Sequence, residues 1–169
     1  IPADVPPSDT ARIKIVGANA EGISNPFTLQ GIQVTVPEAG DIVAPGDFLN
    51  VVWESAGIPG DVNIFYADDG MNFDTQLNTA PVPIENGAFS WPVDTETVRP
   101  SVTAKVRVQS ISQPAIVGDS ATFTLRGMRI TTPAGGEVWQ LNNQHTVEWF
   151  SADAGETLNL YYAADGTNY

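Results

Sequence analysis

The 169-residue sequence contains no cysteine. A disulfide framework, a thiolate metal site and a thiol nucleophile are therefore all excluded, and stability must come from apolar packing and strand pairing. The same absence leaves the compartment unread from redox chemistry. Cationic side chains are scarce: 7 Lys and Arg face 20 Asp and Glu, a formal charge of −13. So acidic a surface repels nucleic acid phosphates and anionic lipid headgroups, and neither is expected as a partner. No apolar run approaches the roughly 18 residues of a membrane span, so no membrane insertion is expected within this segment. The chain opens at Ile1 without an initiator Met, a charged leader or an apolar leader core, and reads as an internal piece of something longer. An acidic surface has two ordinary explanations, solubility outside the cell and a loose affinity for divalent cations, and the first is the commoner.

Hydrophobic residues form 42% of the chain, with 15 Gly and 13 Pro spread along its length. That composition suits a folded protein with many turns. An internal repeat organises it. Gly31 to Phe73 aligns without a gap on Gly127 to Tyr169, at a constant offset of 127 − 31 = 96. About a third of the positions are identical, among them Pro37 and Pro133, Trp53 and Trp149, Asn63 and Asn159, and Asp69-Gly70 and Asp165-Gly166. The first residues match elsewhere: Pro6 to Val16 resembles Arg99 to Gln109, and Asn25 to Gly31 resembles Ala121 to Gly127, with the offset moving from 93 to 96 across one loop. The expected division is 1–31 as the C-terminal strands of a first unit, 32–127 as a complete unit, and 128–169 as the N-terminal half of a third. A period of 96 residues is the size of an immunoglobulin-like β-sandwich.

Alternation with period two appears where the repeat is clearest. Leu49, Val51 and Trp53 alternate with Asn50, Val52 and Glu54, and Ala104, Val106 and Val108 with Lys105, Arg107 and Gln109. Further strands are expected at Ile32 to Val36, Asp61 to Ala67, Ala88 to Trp91 and Ala121 to Arg126, and no segment shows a helical stripe long enough to assign. The fold class expected is all-β, as tandem antiparallel sandwiches. Little more than Arg126-Gly127 separates the last strand of one unit from the first of the next, so the units should form a semi-stiff rod.

The elements Pro133 to Trp149 (PAGGEVWQLNNQHTVEW), the LNLYYAADG strand and turn that follow, and Gly87 to Val93 (GAFSWPV) in the middle unit resemble the Kre9/Knh-like immunoglobulin-like repeat, also described as the Ser-Thr-rich GPI-anchored family domain of microbial surface proteins. The middle unit departs from the pattern where Ala39 replaces a Gly and Val43 stands in the place of Trp139. The resemblance implies a seven-stranded sandwich acting as a spacer, adhesive or wall-associated module, and it offers no catalytic residues to carry over.

Few side chains compete for a chemical role. His145 takes the place that Leu49 holds one unit earlier and should face the buried side or its rim, without a nucleophile or metal motif around it. Asp68, Asp69, Asn72 and Asp74 could be read as cation ligands, but Asp-Gly is a hairpin signal and Asp68 becomes Ala164 in the second copy. Trp53 and Trp149 are in phase with buried valines and are expected in the core, Trp139 has no assignment, and Phe65 and Tyr161 should lie on an outer face. Acidic pairs recur at turns without a pocket signature, so no catalytic, cofactor or metal residue is expected and the protein is not expected to be an enzyme. The composite expectation is a self-associating structural component of an extracellular or cell-surface filament, stalk or surface layer; the half-units at its ends are read either as a window on one longer repetitive chain, slightly the favoured reading, or as parts that complete each other head to tail by strand complementation. The alternative is an adhesin or carbohydrate-binding accessory module with glycans as partners.

Overall fold

The structure is a computed structural model that describes residues 5–94 and 96–168. It begins with two short antiparallel pairs. β1 (Ser8–Ala11) pairs with β4 (Phe27–Leu29), and β2 (Lys14–Val16) with β3 (Glu21–Ile23). The centre of the chain supplies β5 (Gly31–Val36), β6 (Ile42–Val43), β7 (Phe48–Ala56), β8 (Asp61–Ala67), β9 (Thr75–Gln76), β10 (Val82–Pro83), β11 (Ala88–Pro92), β12 (Ser101–Ser110), β13 (Val117–Asp119) and β14 (Phe123–Leu125). A last pair, β15 (Gly127–Thr132) and β16 (Glu148–Ala152), follows. Among the described residues the chain is all-β apart from one 3-10 turn at Ile84–Asn86.

Alternating burial shows why the long central strands form. Along β7, Leu49, Val51 and Trp53 are buried while Phe48, Asn50 and Glu54 are exposed, and along β12 Ala104, Val106 and Val108 are fully buried. One sheet runs β11-β7-β5; the other runs β10-β8-β12-β14-β6, with β13 on β12 and β9 on β8. All pairings are antiparallel except β14 with β6, where Thr124 and Leu125 run parallel to Ile42 and Val43. The two sheets share a single core in which Val34, Val51 and Trp53 of one meet Ile64, Val106 and Phe123 of the other. Polar groups inside it are paired. The Trp53 indole donates to the Ile84 carbonyl at 3.0 Å, and the Tyr66 hydroxyl donates to the Arg99 carbonyl at 2.7 Å. Asn78 accepts the Ile64 N–H at 2.7 Å through its side-chain oxygen and donates to the Ala80 carbonyl at 2.8 Å. Burial pushes the Tyr66 phenol well above its ordinary range, with the nearby Asp68 carboxylate adding to the effect.

The flanking pieces reproduce the geometry of the centre. β5 pairs with β7 through Gly31 with Ala56, Ile32 with Ser55, Gln33 with Glu54 and Val34 with Trp53. β15 pairs with β16 through Gly127 with Ala152, Met128 with Ser151, Arg129 with Phe150 and Ile130 with Trp149, which is the same register 127 − 31 = 96 residues on. Both strands carry an irregularity at the same place, and cis peptides precede Pro37 and Pro133. β1 and β4 likewise pair as β12 and β14 do, Ser8 with Leu29 and Ala11 with Phe27 against Ser101 with Leu125 and Ala104 with Phe123. The Ser24 hydroxyl accepts the Ile13 N–H at 2.9 Å, and the Ser120 hydroxyl accepts the Val106 N–H at 3.0 Å.

Four expectations need correcting. His145 is exposed, because the chain before Glu148 forms no strand that could turn it inward. Trp149 is 44% exposed where Trp53 is 3% exposed, since the β15–β16 pair has no second sheet over it among the described residues. Leu158 to Tyr162 is not a strand. Its counterpart β8 makes its ladder with β12, and among the described residues no equivalent of β12 stands beside 158–162. The last central strand is also shorter than the expected Ala121 to Arg126.

Candidate functional site

The acidic turn after β8 spends its carboxylate on its own backbone. Asp69 Oδ1 accepts the N–H groups of Met71 at 2.8 Å and Asn72 at 2.7 Å, while Oδ2 accepts the Asn72 side-chain amide. Asp165 does the same with Thr167 and Asn168. Asp68 turns to Arg99 at 3.2 Å, and Asp74 accepts from the Thr75 hydroxyl at 3.3 Å. The four side chains weighed as cation ligands thus do not converge, and among the described residues no group of three or more His, Asp or Glu could hold a metal ion. The turn joins antiparallel strands, β8 to β9, but spans Asp68 to Asp74 instead of closing in a two-residue Asp-Gly loop.

Backbone N–H donation from Asn72 and then Met71 holds the Asp69 carboxyl below the usual aspartate range. A depressed folded value means that the turn's stabilisation is complete above the unfolded value and is lost as pH falls through the lowered folded one. The Met71 and Asn72 amide resonances are therefore expected to titrate together at a pH below that of a free aspartate. Asp69→Ala should abolish the titration, and NMR spectra across acidic pH test it. Titration of both amides at the free aspartate value would refute the assignment.

Aromatic side chains divide by unit. Trp53 and Trp91 are buried, and Tyr66 packs against Trp91 with ring centroids 5.6 Å apart. Trp139, unassigned by sequence, stacks flat on His145 at 4.6 Å, and His145 Nε2 lies 3.0 Å from the Gln140 carbonyl. Phe65 is half-buried and Tyr161 is exposed. In the last piece Trp139, Trp149 and Tyr162 are exposed, yet their counterparts 96 residues earlier, Val43, Trp53 and Tyr66, are all buried. These are core positions left uncovered. Met128, Ile130, Trp149 and Leu160 line an open apolar groove of about 420 Å³ between them. The first piece exposes Ile13 and Ile15, whose counterparts 93 residues on, Val106 and Val108, are buried.

The side-chain contacts that join residues 5–31 to the centre of the chain, and the centre to residues 128–168, are not among the sites expected from sequence. At the first joint Gln30 Nε2 donates to the Gly57 carbonyl at 2.8 Å and to Gln113 Oε1 at 3.2 Å. At the second, Arg126 Nε donates to Asp153 Oδ2 at 2.7 Å. Positions 126 and 153 lie 96 residues beyond 30 and 57. Gly57 and Asp153 both take left-handed backbone, at φ 70° and 50°. Ala56 and Ala152, the residues just before them, are buried outside the core cluster, and Ala152 is the only buried residue described in 128–168. Because Gln30 and Arg126 differ, as do Gly57 and Asp153, matching identities between units passes over them. The readable signal is the opposite charges of Arg126 and Asp153 at the second junction; the first gives none, because its acceptor is the Gly57 backbone carbonyl. No protein-family model, curated protein or solved structure matches the chain.

Proposed function

We propose that this chain is a non-enzymatic structural component of an extracellular filament, stalk or surface layer, built from stiff tandem immunoglobulin-like units. The observation that carries the reading is the repetition of one strand register, and of one pair of contacting positions, at a spacing of 96 residues. A unit of that size, whose two sheets share one core and whose neighbours follow without a linker, transmits its orientation to the next. The resemblance to the Kre9/Knh-like repeat and the charge of −13 support a location at the cell surface. The exposed aromatics occupy core positions, which favours burial against another sheet over glycan stacking.

Self-association belongs to the same reading. In the centre of the chain the face of β5 and β7 is covered by β12, β13 and β14. Residues 8–29 carry strands in the register of β12 and β14, so in a neighbouring copy they fit the open face of β15 and β16. Gly118 shows how close the fit is: a Cβ there would stand 2.7 Å from the Ile32 carbonyl oxygen, whereas one on Gly22 meets nothing within 4 Å. In the head-to-tail contact Gly22 of one copy meets Met128 of the next. The chain is expected to form filaments by negative-stain electron microscopy, and Gly22→Val to return it to monomer in sedimentation velocity without moving the thermal unfolding of the central unit. Monomeric wild-type chain at high concentration, or association indifferent to Gly22→Val, would count against this contact.

A further inference from the structure

The joints differ in chemistry while sharing geometry. At the first, the hydrogen bonds among the described residues are neutral: the Gln30 amide donates to the Gly57 carbonyl and to the Gln113 side-chain oxygen. Gly57 is also required for space, since a Cβ there would stand 2.8 Å from Thr28 Cγ2. At the second, two guanidinium groups of the central unit hold the next one. Arg126 pairs with Asp153, and Arg99 lies 3.6 Å from the centre of the Phe150 ring while also reaching Asp68. Asp153 stands where the first joint has glycine; aspartate is among the few side chains that tolerate left-handed backbone, and here it places a carboxylate opposite Arg126.

We infer that the pair formed by the residue before the junction glycine and the left-handed residue after the second long strand is the element that fixes the angle between units, and that its charge decides whether a joint loosens with salt. The inference rests on the tandem-unit reading. The Arg126 and Asp153 side chains are 48% and 42% exposed, so their attraction is screened by ions. The amide contacts of the first joint carry no net charge and keep their strength. A rod with one neutral and one ionic joint bends at the ionic one when salt rises.

The chain lacks cysteine, so paired spin labels can be placed at will. Labels at Glu85→Cys and Ser151→Cys span the second joint, and labels at Asp9→Cys and Glu85→Cys span the first; all of these positions are exposed. Double electron–electron resonance should give a narrow distance distribution across the second joint in dilute buffer, widening roughly twofold in 1 M NaCl, where the Debye length shrinks to about 3 Å. Arg126→Ala should widen it at low salt. The first-joint distribution should not respond to salt. The double variant Arg126→Gln with Asp153→Gly, which installs the residues of the first joint in the second, should be narrow at both salt concentrations. A common unfolding midpoint for the central unit separates these effects from misfolding. A second-joint distribution unmoved by salt and by Arg126→Ala would overturn the inference and leave the stiff array standing. Broad distributions across both joints in every buffer would overturn the stiff array, and this inference with it.

Discussion

Trp53→Ala is expected to remove a large share of the stability of the two-sheet core formed by β5 to β14. The side chain is 3% exposed at the middle of β7 and lies in the cluster that both sheets share. Truncating a buried tryptophan costs about 3–5 kcal/mol, against a total of about 5–15 kcal/mol for a typical domain. The Ile84 carbonyl also loses its indole donor in the 3-10 turn that leads into β11. Urea unfolding followed by tryptophan fluorescence should show the midpoint fall steeply, with Trp53→Phe between wild type and alanine. The paired control is Trp149→Ala, which alters the same residue type one unit on. At 44% exposure it should leave the central midpoint in place. Equal losses at the two positions would contradict the assignment of Trp53 as the residue that joins the sheets.

Gly118→Val should come second. Gly118 lies in β13 opposite Val108, and its need is for space, not for unusual backbone. An added Cβ would sit 2.7 Å from the Ile32 carbonyl oxygen and 2.8 Å from Ile32 Cγ2. The first of these is backbone, so β5 and β13 must separate. Overpacking of this kind costs about 1–3 kcal/mol. The expected signature is a lowered melting temperature together with faster amide exchange along β5. Gly118→Ala makes the same clash with less bulk behind it, and a valine variant that melts like wild type would show that the two strands do not approach as described.

Trp53 and Gly118 mark the two extremes of what is legible in the amino-acid sequence. Period-two alternation through Leu49, Val51 and Trp53, and through Ala104, Val106 and Val108, locates two central strands and their inner faces, because each has a hydrophobic side only if it packs on something. The 96-residue period predicts where the same strands recur, and the Ile130–Trp149 pair lies where Val34–Trp53 does. Burial does not carry over so simply. His145, Trp149 and Leu160 match buried residues by position, yet a strand face is buried by the strands opposite it and not by its own pattern. β6 was not foreseen, because two residues show no periodicity and a parallel pairing to a strand some 80 residues away leaves no local mark. Gly118 gives no signal in sequence either, since the reason for its missing side chain is the Ile32 backbone.

The parallel β6–β14 contact has a mechanical meaning. The Gly40 N–H donates to the Thr122 carbonyl at 3.2 Å, the Thr124 N–H to the Asp41 carbonyl at 2.8 Å and the Arg126 N–H to the Val43 carbonyl at 2.8 Å. These bonds tie residues 40–43, soon after β5, to residues 122–126, just before β15. In the proposed tandem array, tension applied through neighbouring units draws the two strands along their own lengths in opposite directions. The bonds then bear the force side by side and must fail together, whereas a hairpin pulled open at its end gives way one bond at a time.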